Sequence, residues 1–126
     1  MTTAPSKDIA EILVNGGLCT LGTDLFIPEL PSSPDACVSI SDIPSGVAIY
    51  DDVERPGVQI LVRGDQNEYI VAYEKAHAIM LLMLASGGAT HGESRYAGIW
   101  HVSGPHYLGF DTQKRPMFSL NFRTMR

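Results

Sequence analysis

Cysteine and basic residues are both scarce in this chain of 126 residues, and each shortage excludes a class of protein. The two cysteines, Cys19 and Cys37, are too few for a disulfide framework or a cysteine-based metal site. They predict buried thiols in a chain that folds in a reducing cytosol. Lysine and arginine together number 9 against 14 acidic residues, which gives a net charge of −5. Because phosphate binding needs a basic surface, nucleic acid is not expected as the main ligand.

Long apolar runs and signal-like segments are also missing. The most apolar stretch, residues 79–85, is too short to span a bilayer, and no apolar signal segment stands at the N-terminus. We therefore expect no association with a membrane. The composition, with 44% hydrophobic and 18% charged residues, is that of an ordinary globular protein. The length suits one hydrophobic core, so we expect residues 1–126 to form a single domain.

A strand followed by a long helix organises the middle of the sequence. Residues 57–63 alternate in side-chain type and are rich in β-branched residues, which is typical of a strand. Residues 68–85 contain no glycine or proline and predict a helix, which Asp65 or Asn67 is expected to cap. The stripe expected to face the sheet is Tyr69, Tyr73, Ala76, Met80 and Leu84.

Shorter elements are predicted on both sides of this pair. A helix capped by Ser6 comes first, and strands are expected at residues 24–27 and 36–43. After the long helix, the glycine-rich residues 88–94 predict a flexible connection. The end of the chain predicts an antiparallel meander, because the connections are too short to cross over; its strands are residues 96–103, 106–111 and 117–124.

Together these elements predict an α+β fold. We expect a mixed or antiparallel sheet of about four to six strands, with one long helix packed on one face and a short N-terminal helix.

Catalytic chemistry finds little support in the sequence. Phosphate-binding loops and serine-nucleophile motifs are absent. His101 and His106 flank a predicted turn and would face each other across a hairpin, where Asp111 is the only nearby third ligand for a metal. Their spacing matches no known ligand set. We therefore expect no catalytic residue, no metal and no cofactor, and a hydrolase built on these three residues is the weaker hypothesis.

Three surface features suit contacts with other proteins instead. A long loop, residues 44–56, is acidic, and the second half of the long helix is apolar nearly all round. The third feature is a proline-rich linker, residues 28–34, which cannot form a helix or a central strand. Arg63, at the end of its strand, is expected to pair with a carboxylate, to cap a carbonyl or to form a salt bridge between subunits. Simple core packing is the alternative for Met80 and Met83. The candidate interface or lumen residues are Asp51, Asp52, Glu54, Arg63, Met80, Met83 and Leu84.

The order of these motifs resembles the minor capsid or tail-terminator (tail-completion) proteins of siphophages. An N-terminal helix with DIAEIL precedes PDACVSISDI, and PGVQILVRG leads directly into a helix that begins at Tyr69. The matching pieces in that family are two strands, here residues 37–42 and 56–64, and a helix start, here residues 69–73. The loop at residues 45–54 and the connection at residues 88–96 match no part of the pattern.

This resemblance implies a structural virion protein without catalytic activity. It implies a ring of identical subunits, typically a hexamer, at the head-proximal end of the tail tube, made in the host cytoplasm and present at the head–tail junction. The expected partners are further copies of the chain, the tail tube protein and the head connector or head-completion protein. Genomic DNA would pass through the lumen without specific binding, repelled by acidic residues such as Asp51 and Asp52. The alternatives are a head-completion or portal adaptor protein and a small-ligand-binding α+β domain.

Overall fold

The computed structural model of the protein describes residues 4–43 and 55–126. These residues contain two helices and seven strands. In chain order they are α1 (Pro5–Asn15), β1 (Leu25–Phe26), β2 (Cys37–Ile43), β3 (Gly57–Arg63), α2 (Tyr69–Leu84), β4 (Ala89–His91), β5 (Ser94–Tyr96), β6 (Gly98–Phe110) and β7 (Pro116–Met125).

Five of the strands form one mixed sheet with the order β1-β2-β3-β7-β6. The short strand β1 pairs with β2 in parallel, and the other pairs in this sheet are antiparallel. Strands β4 and β5 form a separate antiparallel hairpin. Both helices pack on one face of the five-stranded sheet and share a core with it. The predicted α+β fold, with a long helix on one face and a short N-terminal helix, is confirmed.

The core follows from the alternation of apolar residues in the three central strands. Val38, Val62 and Phe118 stand opposite one another across β2, β3 and β7, and their side chains are buried. Ile40, Ile60 and Leu120 form the next row on the same face, and they are buried as well. Because successive side chains in a strand point to opposite faces, this register brings the apolar set of every central strand onto the face that the helices cover.

The last strand pair differs from the predicted meander. We expected two strands joined by a turn at residues 104–105, but β6 continues through this point with shifts in its register against β7. Gly104 accommodates the irregularity, since it has φ +101° and a Cβ there would collide with the backbone carbonyl of Ser119. The prediction of a turn was therefore wrong, because tertiary pairing with the ten-residue strand β7 carries β6 past two turn-forming residues.

The connection after the long helix is also more regular than predicted. Residues 88–94 were expected to be a flexible connection, whereas most of them belong to the β4–β5 hairpin. Gly92 forms its tip with φ +62°. The glycines in this segment thus allow a tight turn and do not indicate a lack of structure.

Both helix starts depart from the predicted capping. Helix α1 begins at Pro5, and no side chain of its own N-cap residue forms a capping bond. Asp42 of β2 provides the cap from a distance: its carboxylate accepts the Ser6 backbone N–H at 2.8 Å and the Ser6 hydroxyl at 2.7 Å. Helix α2 begins at Tyr69 without a side-chain cap, and Asn67 before it adopts φ 62°.

Candidate interaction surface

The predicted site residues fall into three groups in the structure. Asp51, Asp52 and Glu54 lie outside the described residues, which stop at position 43 and resume at position 55. Arg63 lies at the end of β3. The third group is on α2 and contains the two methionines and the leucine of its C-terminal half.

Arg63 is buried and binds the proline-rich linker of its own chain. Its guanidinium donates to the backbone carbonyls of Asp35 at 2.8 Å, Pro34 at 2.8 Å and Pro31 at 2.6 Å. Of the alternatives that the sequence left open, carbonyl capping describes these contacts. The guanidinium thereby holds the linker against the end of the sheet. The linker carbonyls need such donors because they form no hydrogen bonds with a neighbouring strand.

Arg115, a residue that the sequence did not single out, holds the same linker from the other side. Its side chain is buried, donates to the Ser32 carbonyl at 2.7 Å and forms ion pairs with Asp35 at 3.1 Å and Asp111 at 2.7 Å. The Arg115 backbone N–H also donates to Asp111, and this bond is the main cause that lowers the pKa of the Asp111 carboxyl.

Of the stripe predicted to face the sheet, only Ala76 belongs to the buried side of helix α2. Its buried residues are Ala72, Ala76, Ile79 and Met83. Tyr69 and Tyr73, predicted at the centre of the stripe, lie at its margin and keep about two fifths of their surface exposed, 37% and 40%. The small alanines let the helix approach the sheet closely, so packing selects this face over the larger aromatic residues.

Because of the orientation of α2 about its own axis, the three predicted contact residues, Met80, Met83 and Leu84, differ in exposure. Met83 is fully buried in the core and offers no surface to a partner, whereas Met80 is partly buried against the core. Leu84 is 47% exposed, and Leu81 and Ile70 on the same side of the helix are exposed to 53% and 62%. An apolar side of α2 therefore faces solvent in the isolated protomer.

This apolar side continues onto strand β6 through a chain of aromatic contacts. The Tyr69 ring lies 5.0 Å from the Tyr107 ring, centroid to centroid, and Tyr107 lies 6.0 Å from Phe110. Both β6 residues are exposed. We call the exposed apolar residues of α2 and of the end of β6 together the helix–edge surface; it consists of Ile70, Leu81, Leu84, Tyr107 and Phe110. Apolar patches of this kind on soluble proteins mark sites of protein contact.

The edge strand β6 cannot be extended along its full length by a partner strand. It is the last strand of the sheet, so one of its sides carries unpaired backbone groups. Pro105 has no N–H, and the register shifts around Gly104 bend the strand in its middle. A partner at this edge is therefore bound mainly through side chains.

A small apolar socket lies on the other flank of the sheet. It has a volume of about 200 Å³ and lies between the ends of β2 and β3 and the first turns of α2, with Val38, Val62 and Val71 among its walls. Cys37 also lines it, and burial raises the pKa of that thiol, so the neutral form persists. Small-molecule sites measure roughly 300–1,000 Å³. The socket is thus too small for most metabolites and suits a single side chain.

The three residues of the hydrolase hypothesis do not form a site. His101 stands opposite Phe122 and His106 opposite Ser119, so the two histidines lie on opposite faces of one strand. Asp111 is engaged by Arg115. Among residues 4–43 and 55–126, no group of three or more His, Cys, Asp and Glu side chains is arranged to hold a metal ion.

A buried polar cluster that sequence reasoning missed joins the two ends of the described chain. Asp8 of α1 is fully buried and accepts the Tyr96 hydroxyl at 2.6 Å and the Arg126 guanidinium at 3.0 Å. Burial and the hydrogen bond to Asp8 raise the pKa of Tyr96. Its only sequence signal was an acidic residue on the apolar side of a helix, and its role is to fix α1 against the β4–β5 hairpin and the end of β7.

No helix within the described residues is long and apolar enough to cross a membrane. A comparison with protein-family models matches residues 12–125 to the family described as bacteriophage tail terminator protein. A search of curated proteins finds no match.

Proposed function

We propose a role in virion assembly that proceeds from one fact: the chain belongs to the bacteriophage tail terminator family. It is accordingly a structural component of a phage tail. Copies of the chain close into a ring at the head-proximal end of the tail tube. This ring stops further addition of tube protein and provides the surface that the head connector binds. The role is architectural and requires no catalysis.

The observation that supports this proposal most directly is the helix–edge surface. Burying exposed leucine, isoleucine and aromatic side chains stabilises an association by roughly 25 cal/mol for each Å² of apolar area. The free energy of a protomer that exposes such an area to water is lowered when a neighbouring copy covers that area. The apolar second half of α2 is covered on one side by the core, at Ile79 and Met83, and is exposed on the other, at Leu81 and Leu84.

A ring places a requirement on these surfaces. Each subunit of a cyclic assembly with more than two copies uses two different patches, one for each neighbour. The β6 end of the helix–edge surface, Tyr107 and Phe110, and the β2 wall of the socket belong to opposite halves of the sheet order. Two distinct patches on two flanks are what a head-to-tail arrangement uses.

The proposed lumen must let DNA pass without retaining it. The net charge of −5 favours this, because an acidic wall repels phosphates and releases no counterions on contact. Asp51, Asp52 and Glu54 are the residues that we propose to face the lumen. Reversing these three charges should slow DNA passage and lower infectivity while rings still assemble.

The experiment that tests the proposal combines assembly with tube capping. Purified protein is measured by light scattering over a range of concentrations and by electron microscopy, and is then added to polymerising tail tube protein. We expect concentration-dependent rings and tubes of limited length. Leu81→Glu, which puts a charge in the helix–edge surface, should abolish both effects, whereas Glu74→Gln, an exposed change on the same helix, should abolish neither.

Two results would contradict the proposal. One is a protein that stays monomeric at every concentration and leaves tube length unchanged. The other is a ring that binds purified portal or connector protein but never the tube end, since that outcome would assign the chain to head completion.

A further inference from the structure

We infer that Phe110 of one copy inserts into the socket between β2, β3 and α2 of the next copy. This inference rests on the proposed ring and names the contact that joins its subunits. The occupant is a second copy of the chain, because the chain itself carries the exposed aromatic ring that the socket fits.

The size and lining of the socket match a phenyl ring. A dry cavity of about 150 Å³ lined by aliphatic side chains is large enough to bind benzene. The socket here measures about 200 Å³, and Ala36, Val38, Val62, Val71 and Ala72 give it apolar walls. Its basic side chains are already occupied within the chain, because Lys75 donates to the Leu18 carbonyl and Arg63 donates to the linker. The cavity therefore offers apolar contact and few free donors.

Phe110 is the side chain on the opposite flank that has the position and exposure to fill it. It ends the edge strand β6, and half of its surface, 51%, remains in solvent. Tyr107 contacts its ring edge-on, which holds the phenyl group at the margin of the sheet. Trp100, another large aromatic residue of β6, is less suitable because its ring folds over Gly98 of the same strand.

The register of the sheet puts the socket and Phe110 at the same height. Phe110 stands opposite Pro116 in β7, and the Gly64 backbone N–H donates to the Pro116 carbonyl at 2.9 Å. Gly64 also lines the socket. The three residues thus form one row across the sheet. Neighbouring subunits of a closed ring are related by rotation about the ring axis without translation along it, so the two contact patches of a subunit must lie at equal height along that axis. If the strands run parallel to the ring axis, Phe110 and the socket lie at equal height, because they belong to one row across the sheet.

Charged groups lie at both patches as well. Two carboxylates, Asp24 and Asp65, line the socket together with Arg63 and Lys75, which both donate to carbonyls of their own chain, while Lys114 stands in the turn that follows Phe110. No salt bridge within the described residues engages Lys114. Insertion of Phe110 would bring this ammonium group toward the acidic side of the neighbouring socket, which steers the two copies into the head-to-tail orientation.

Disulfide trapping tests the contact. Phe110→Cys and Val71→Cys are combined in a chain that also carries Cys19→Ala and Cys37→Ala, since the native Cys37 thiol lines the socket, and this chain is oxidised under mild conditions. A Phe110→Cys, Leu84→Cys chain with the same two alanines serves as the control, since Leu84 is exposed on α2 but does not line the socket. We expect a reducible ladder of dimers, trimers and larger species from the first chain only. An isologous contact would stop at dimers, so a product limited to dimers, or an equal ladder from the control, would overturn the inference.

Affinity measurements provide a second, independent test. Phe110→Ala should raise the protein concentration at which half of the chains are in rings by roughly 30-fold, the effect of removing a buried hot-spot residue. Val71→Trp, which fills the socket from its own chain, should act in the same direction. Val102→Ala, an equally exposed position on the same strand, should have little effect. Rings that form normally in both Phe110→Ala and Val71→Trp would refute this contact and leave the proposed function standing, whereas a wild-type chain that forms no rings would refute the function itself.

Discussion

The buried cluster of Asp8, Tyr96 and Arg126 makes a sharp prediction about stability. One oxygen of the Asp8 carboxylate accepts both the tyrosine hydroxyl and the guanidinium, while its other oxygen, Oδ1, has no hydrogen-bond partner within the described residues. The perturbation is Tyr96→Phe, which deletes one hydroxyl and leaves the ring in place. Asp8 would then remain in the core with one donor fewer.

The size of the effect follows from the charge and burial of the acceptor. A hydrogen bond to a charged group contributes about 1.5–3 kcal/mol, and leaving a buried charge less satisfied moves the cost toward the upper end. We therefore expect Tyr96→Phe to lower the free energy of unfolding by about 2 kcal/mol. Asp8→Ala should cost more, about 3–5 kcal/mol, because it leaves a nearly buried guanidinium without its carboxylate.

Urea unfolding at neutral pH measures both values, with the wild type and Tyr107→Phe as references. Tyr107 is a partly exposed tyrosine, and its hydroxyl forms no hydrogen bond to another described side chain, so its loss should change the free energy by less than about 0.5 kcal/mol. The double variant Asp8→Ala, Tyr96→Phe should lose less stability than the sum of its two single variants, since both changes remove the same hydrogen bond. Equal effects of Tyr96→Phe and Tyr107→Phe, or additive losses, would refute the reasoning.

Three further predictions concern the capping, the edge strand and the response to acid. Asp42→Ala removes the remote cap of α1 and should cost about 1 kcal/mol in urea unfolding, whereas Asp65→Ala, a predicted cap without a capping bond, should cost little. Gly104→Ala should cost more than about 1 kcal/mol and raise amide exchange in β6, because φ +101° and the carbonyl opposite both oppose a Cβ; unchanged exchange would contradict this. The pKa of Asp111 is lowered from 3.8 in the folded chain, so its contribution is full above that value and is lost as the pH falls through the lower folded pKa. Asp111→Asn cannot form an ion pair with Arg115, so the free energy of unfolding of this variant should fall less steeply than that of the wild type as the pH is lowered. The difference in stability between the two should therefore be smaller at low pH than at neutral pH.

Local pattern was sufficient for the elements that have strong periodicity and clear ends. The long helix was expected at residues 68–85 and occupies Tyr69–Leu84, and the strand before it was expected at residues 57–63 and occupies Gly57–Arg63. Alternation also gave the inward side of β7, where Phe118, Leu120 and Phe122 are buried. Strand and helix periods are properties of the backbone itself, so they appear in the sequence wherever one face is consistently apolar.

The sequence was less informative about the candidate surface. It indicated that the C-terminal half of α2 is too apolar to stand alone, and Leu84 is indeed exposed there. It left open whether Met83 lies in the core and whether Arg63 caps carbonyls, and both alternatives are what the structure has. The sequence could not choose between them, because each outcome depends on which side of the helix and of the strand end meets a neighbouring segment. It also did not indicate Phe110, since an aromatic residue in a strand is usually packed in a core.

The sequence by itself thus determined the α+β class, the main helix and the central strands, because each depends on periods that span a few consecutive residues. Only the tertiary structure decided the strand order, the rotation of α2, the passage of β6 through Gly104 and the cluster that joins Asp8 to Arg126. These features depend on contacts between residues far apart in the chain, whose free energies come from close packing and from pairing buried polar groups. A local sequence pattern cannot predict such contacts, because each partner taken alone resembles an ordinary loop, cap or surface residue.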